Sequence, residues 1–405
     1  MRRTLCRLAL AACAVFPAFA LAACGGRTVV FRHGVTVSDT TTVQAPTQSG
    51  AGIPVVATKN TTRVDGADPI SDAAAVALAV YPSAAPGTHP PAVILAPTND
   101  WEAAIASSVL IAPPIRAPIL LSDPGATTSV TAQTLQTLAP AGSGSLSGAQ
   151  LIRVGSVPTV LGMRSLAIRG TDPFTLAAAI NRVVNAVAGR ASADVMIASA
   201  DGPQYAMPAA GLAAESGSPI LFVTGSTIPA PTKQALVSDA RPHIFVLGPP
   251  SLIPDSVISQ LRHFGTVNRI GAADPTANSV ALAKYRDPPC TTGQPCAHVP
   301  GSFGWALESP GHGYVLINAS RTLDAAAAAP LSSSGSFGAQ LLITDPNTLP
   351  SSVATYFGNY ATPGYTAEGP TAAVYNHGWV IGDQSAVSVS VQAEMDSLLE
   401  AVPVK

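Results

Sequence analysis

Val93-Ile-Leu-Ala-Pro-Thr-Asn-Asp-Trp-Glu-Ala-Ala104 changes character halfway along. Ala92–Ala96 is apolar without alternation, the pattern of a strand buried on both faces. A small polar turn follows, and from Trp101 to Ile111 the apolar residues recur at helical spacing until Pro113-Pro114 stops them. Working outward, Ala73–Val80 predicts a helix of small residues with Ser71-Asp72 as a plausible N-cap. Pro118–Ser122 predicts a second buried strand, Thr131–Leu138 a helix and Gln150–Gly155 a third strand. Strands alternating with helices, and apolar throughout, mean parallel sheets covered by helices.

The same order returns twice. Gly66-Ala-Asp-Pro69, Gly170-Thr-Asp-Pro173 and Ala272-Ala-Asp-Pro275 each introduce an alanine-rich helical pattern, with the aspartates 104 and then 102 positions apart. Such a period has the size of a small domain and exceeds that of a solenoid repeat. The expected fold class is therefore α/β, as three tandem Rossmann-like or Toprim-like modules over residues 60–164, 165–265 and 266–405. The third carries an insertion, 286–303, that holds Cys290 and Cys296. In open parallel sheets ligands approach the carboxyl ends of strands. Those ends carry Pro97-Thr-Asn-Asp100, Ser199-Ala-Asp-Gly202 and Asn318-Ala-Ser-Arg321.

Arg2, Arg3 and Arg7 precede an apolar stretch, Leu8–Leu21, too short to span a bilayer comfortably. Leu21-Ala-Ala-Cys24 follows, so residues 1–23 are expected to be a lipoprotein signal peptide, with Cys24 acylated after cleavage. An ordinary signal peptide that contains a cysteine is the alternative. A multiply acylated Cys24 would hold the chain on the outer face of a membrane, each buried methylene adding about 0.8 kcal/mol. Residues 24–59 lack helical periodicity and are expected to form a flexible tether of roughly 30 Å. Loss of residues 1–23 moves the formal charge from −2 to −5. A weakly acidic chain without basic clusters excludes nucleic acid as a partner class. Cys290 and Cys296 flank a short polar loop in an exported chain, so a local disulfide is expected; a metal site with His298 is the rival reading.

Gly-x-Ser-x-Gly, His-Glu-x-x-His and Gly-x-x-x-x-Gly-Lys motifs are all missing, so neither enzymatic activity nor a cofactor is expected. Asp68, Asp172 and Asp274, each before a helix, serve either as caps or as ligand contacts. Trp101, Trp305 and Trp379 either stack on sugar rings or lie buried.

The chain resembles the type-2 cell-wall-binding repeat of Gram-positive surface proteins, which usually occurs in threes. The resemblance rests on Gly66-Ala-Asp68 before an alanine-rich helix and on Val93–Ala104. It rests further on Pro118–Leu121, echoed by Pro219-Ile-Leu-Phe222 and Gln340-Leu-Leu-Ile343, and on strand ends Val154-Gly155, Leu247-Gly248 and Ile381-Gly382. Family repeats commonly place arginine and an aromatic after the aspartate, whereas Pro69, Pro173 and Pro275 stand there in this chain. The resemblance implies three modules around a pseudo-threefold axis. It also implies non-covalent binding of a cell-wall glycopolymer or peptidoglycan, with membrane attachment through the lipid anchor. Arginine suits the phosphates of an anionic polymer. Candidate ligand residues are Arg63, Asp68, Asn99, Asp100, Arg169, Asp172, Asp201, Arg269, Asp274 and Arg321. A lipid-anchored solute-binding receptor is the alternative, and a protein associated with a cell-wall hydrolase is a further one.

Overall fold

The computed structural model describes residues 47–48, 54–287, 303–305, 312–333, 338–360, 364–365, 376–400 and 402–403. Residues 1–23, Cys24, Cys290, Cys296 and His298 all lie outside them. Three parallel sheets form the framework. The first sets Ile119–Ser122, Val93–Pro97, Leu151–Val154 and Ser165–Ile168 side by side, and the second sets Ile220–Val223, Asp194–Ser199, His243–Leu247 and Thr266–Ile270. In both, the chain lays its four strands in the order second, first, third, fourth. The third sheet follows the same rule with Ala339–Ile343, His312–Asn318 and Asn376–Ile381, but its fourth strand is Thr61–Val64, from the other end of the chain.

Each fourth strand thus precedes, in sequence, the helix of the next segment. Ser165–Ile168 pairs with Leu151–Val154 although the 164/165 boundary separates them, and Thr266–Ile270 pairs with His243–Leu247 across the 265/266 boundary. Pro54–Ala57, inside the stretch read as tether, adds an antiparallel strand outside Thr61–Val64. Side-chain bonds reinforce this closure. Asn60 N–H donates to Asp396 Oδ1 at 2.7 Å, and Asn60 Nδ2 donates to the Asp396 carbonyl at 2.9 Å.

The uniform apolarity of the leading strands has its predicted cause: every residue of Val93–Pro97, Ile119–Ser122 and Ala339–Ile343 is buried between helices. Between the sheets, Asp324–Ser332 is buried on all sides and packs against Pro69–Val80, Ala209–Ser216 and the 3₁₀ turn Ser108–Ile111. A helix without a polar face belongs in a core, and Ala325–Ala329, all fully buried, let the neighbouring backbones approach closely. At Gly211 a Cβ would stand 2.8 Å from Ser332 Oγ and 3.1 Å from Gln340 Cγ. Ser332 cannot swing away, because it donates to the Gly338 carbonyl at 2.6 Å.

The expected disulfide is corrected. The structure contains no disulfide bond among its described residues, and the two cysteines fall outside them. The base of the insertion is closed by other means: Arg286–Asp287 pairs antiparallel with Phe303–Gly304, and Phe303 stacks on Phe245 with centroids 3.7 Å apart. Ser71-Asp72 is not the cap of the first helix either. Asp68 accepts Ser71 N–H at 2.8 Å, and Asp72 lies buried one turn further on. Among the described residues no helix is long and apolar enough to cross a membrane.

Gly211→Val places two methyls where no space exists and should lower stability by about 1–3 kcal/mol. Urea denaturation followed by circular dichroism measures it; an unchanged midpoint would show that the central helices are not in close contact.

Candidate functional site

The carboxyl ends of the three sheets share one backbone plan. Thr98, Ala200 and Ala319 each donate their N–H to the end of the neighbouring strand, at Ser122, Val223 and Ile343. Two residues later the chain carries Asp100, Gly202 and Arg321. On the opposite wall, Gly155, Gly248 and Gly382 donate to the last carbonyls of the fourth strands, Ile168, Ile270 and Val64. All three glycines have positive φ (66°, 107° and 94°), a conformation that side chains disfavour. One position before those last residues stand Arg63, Ala167 and Arg269.

The three ends have the same plan and different contents. At the third sheet, Arg321 crosses to Asp72 and also pairs with Asp324, its Nε 2.8 Å from Oδ2. Both carboxyls are fully buried, and Asp72 Oδ1 accepts Gly66 N–H at 3.0 Å. Two buried acids sharing one guanidinium leave an excess negative charge out of water. Burial, then the other carboxylate, pushes Asp72 up to about 9, and burial pushes Asp324 up to about 7 against the pull of Arg321. At the second sheet Asn278 stands where Asp72 does, its Oδ1 accepting Ala272 N–H at 3.3 Å. Leu252 packs against Gly202, and Tyr205 donates from its hydroxyl to the Ala273 carbonyl at 2.9 Å.

At the first sheet nothing crosses. Asp100 turns back to accept Ala103 N–H at 2.8 Å, and Leu176 stands at the position of Asp72. A cavity of about 260 Å³ remains, lined by Asn99, Asp100, Glu102, Ser156, Thr171 and Asp172 together with Pro97, Gly155, Gly170, Pro173 and Leu176. Burial, then the neighbouring Asp100, pushes Glu102 up to about 7. Asp172 is held below the usual carboxylate range by Thr175, which donates from its hydroxyl at 2.6 Å and its N–H at 2.9 Å. The cleft therefore offers carboxylate and amide acceptors, two hydroxyls, and one carboxyl that donates below about pH 7. This is equipment for hydrogen-bonding a hydroxyl-rich ligand. Among the described residues no group of side chains is arranged to hold a metal.

Of the residues singled out in the sequence, the cleft brings together Asn99, Asp100 and Asp172, and Arg169 lies exposed one residue before its Gly170. Asp68 and Asp274 are helix caps, Asp274 accepting Ala277 N–H at 2.9 Å. Asp201 accepts Gly225 N–H at 2.5 Å. Arg63, 2% exposed, donates to Gln392 Oε1 at 2.8 Å and to the Gly382 carbonyl at 2.7 Å. Arg269 repeats the second bond, to the Gly248 carbonyl at 2.8 Å, and pairs with Asp255. Trp101 meets Phe222 edge-on at 5.6 Å, and Trp305 is buried. Glu102 and Asp324 carry no expectation from the sequence, and Asp72 carries only that of a helix cap. Their signal was a lone acid inside an apolar helical run.

The buried pair gives a signed pH dependence. Because Asp72 and Asp324 bind protons more tightly folded than unfolded, their contribution to stability is fully present below about pH 4 and is lost as pH rises toward 9. Asp72→Asn, which keeps the acceptor for Gly66 as Asn278 does for Ala272, should flatten that fall in denaturation midpoints between pH 6 and 9. Arg321→Met strands both acids and should cost about 3–5 kcal/mol at pH 8. A wild-type midpoint that is flat from pH 6 to 9 contradicts the pairing.

Residues 167–258 match the family model described as Cell wall binding domain 2 (CWB2). No curated protein sequence matches the chain. Two solved structures from Clostridium difficile share its fold. Cwp8 is 18% identical with a TM-score of 0.61, covering 84% of this chain and 52% of its own. Cwp6 is 16% identical with a TM-score of 0.63, covering 84% of this chain and 48% of its own. The chain thus spans about half the length of the structures it matches. The matched model is that of a binding domain.

Proposed function

We propose that this chain is a non-catalytic protein of the cell envelope that holds a wall glycopolymer at the carboxyl end of its first sheet. The three sheets and their helices are, in this reading, three Rossmann-like or Toprim-like repeats about a pseudo-threefold axis, of which one has kept an open cleft. The observation that carries the reading is the contrast among the three ends: an ion pair fills one, Leu252 and Tyr205 close another, and the first stays open and polar. The CWB2 match over residues 167–258 includes the wall of that cleft formed by Gly170, Thr171 and Asp172. Glu102 and Asn99 suit sugar hydroxyls, and the exposed Arg169, one residue before Gly170 of the cleft, suits a phosphate or carboxylate along the same polymer. Residues 1–23 are in this reading removed on export, and acylated Cys24 keeps the chain on the outer membrane face. A solute receptor would enclose its ligand, and about 260 Å³ lies below the usual range for such pockets, roughly 300–1,000 Å³.

Two measurements test this. The mature chain with Cys24→Ser should pellet with purified walls and stay in solution with walls stripped of their secondary polymers. Ser156→Trp, which fills the cleft from an exposed position, should reduce pelleting by at least about tenfold. Equal recovery from intact and stripped walls would refute polymer recognition. In cells, labelled palmitate should enter the wild-type chain and not Cys24→Ser; label in both, or in neither, removes the anchor from the proposal.

A further inference from the structure

The fourth strands of the three sheets differ in what lies outside them. Beside Thr61–Val64 the chain seats its own Pro54–Ala57, antiparallel, with Val56 opposite Arg63 and Ala57 opposite Thr62. Beside Thr266–Ile270 stands the base of the insertion, where Asn268 donates to Asp287 at 2.9 Å. Ser165–Ile168 has no strand outside it among the described residues. Its inner face is fixed by Leu151 N–H and Gly155 N–H, which donate to the carbonyls of Arg164 and Ile168 at 3.2 and 2.9 Å. Alternate residues of a strand point opposite ways, so the main-chain groups of Ser165 and Ala167 face outward. A groove of about 450 Å³ runs beside this edge, with Leu146, Leu166, Val183 and Val187 among its walls. All four are half-buried and pack on the core from one side only.

We propose that this edge and groove form a docking site for an extended, uncharged, β-branched segment of a partner polypeptide, added as an antiparallel fifth strand. The occupant's chemistry is set by the pairing already present in this chain. Pro54-Val-Val-Ala57 occupies the same edge of a sheet with the same strand order, and its β-branched residues suit an apolar groove. Main-chain bonds to Ser165 and Ala167 give affinity, and contacts with Val183 and Val187 give side-chain selection. The site is separate from the strand-end cleft and does not depend on wall binding. An open edge beside half-buried apolar side chains is otherwise a liability that chains blunt with charge or proline; the charged residue of this groove, Arg164, is held at the start of the strand by the Ser147 carbonyl at 3.2 Å.

A fluorescent peptide with the sequence of residues 51–58, Ala-Gly-Ile-Pro-Val-Val-Ala-Thr, is the probe, titrated with the full chain and followed by anisotropy. Saturable binding is expected, lost when the two valines are N-methylated. Ala167→Pro removes an outward N–H that the sheet does not use, and should weaken binding roughly tenfold or more. Ala186→Arg, at an exposed helix position on the groove, should weaken it similarly without touching the strand. Thermal melts identify any variant that fails to fold, in which case the other decides. Absence of saturable binding, or wild-type affinity in a folded variant, overturns the proposal. Wild-type affinity in a folded variant would place the peptide elsewhere, as on the third sheet's edge.

Discussion

Arg63 and Gly382 are 319 residues apart in sequence and bonded at 2.7 Å. That bond belongs to the seam where Thr61–Val64 enters the third sheet, and the remaining architecture depends on the seam. Without it the third sheet has three strands, the antiparallel strands Thr47–Gln48 and Pro54–Ala57 are not joined to it, and Asp72 does not reach Arg321. A contact of such length has a loop-closure cost that grows slowly with separation but must be met before any local reward. The side chains around the seam supply that reward densely. Gln392 accepts from Arg63 and donates to Thr61 Oγ1, while Asp396 accepts from Thr58 and Asn60.

The three strand ends show how one backbone plan accommodates different chemistry. The glycines with positive φ and the aspartate caps are common to all, because they satisfy main-chain requirements that do not depend on a ligand. The residues that differ, Asp100, Gly202 and Arg321, stand just before Trp101–Ser107, Pro203–Ala206 and Asp324–Ser332, the helices that follow each sheet's leading strand. Arginine there is compatible only with acids to receive it, and the third sheet provides two. Glycine leaves room that an apolar side chain fills. Aspartate, able to cap its own helix, withdraws from the space and leaves it to solvent.

Much of the framework was legible in the sequence because it is local. Ala92–Ala96 and Pro118–Ser122 are apolar without alternation, and only burial on both faces explains that. The fourth strands were not legible as members of the preceding sheets. Thr61-Thr-Arg-Val64 and Thr266-Val-Asn-Arg-Ile270 are short and half polar, and nothing in them names a partner. The arginines in those strands are candidate ligand residues on chemistry alone, because arginine suits the phosphates of an anionic polymer. Arg63 and Arg269 in fact bind the strand-end carbonyls of Gly382 and Gly248, a geometric role without a compositional signature. Asn99 and Asp100 read as strand-end residues and Asp172 as an aspartate before a helix. Their meeting in one cleft needed the register of the sheet.

The donation of each fourth strand has a consequence for copy number. Solenoid arrays grow or shrink by whole units, since each unit touches only its neighbours and the ends are merely capped. Here the last sheet is completed from the beginning of the chain, so there is no free end at which a unit can be added or removed. Deleting one segment would oblige the remaining strands to find new neighbours around a core already filled by Asp324–Ser332 and its alanines. Individual sheets are therefore free to change what they hold, as their strand ends have done, while their number is fixed.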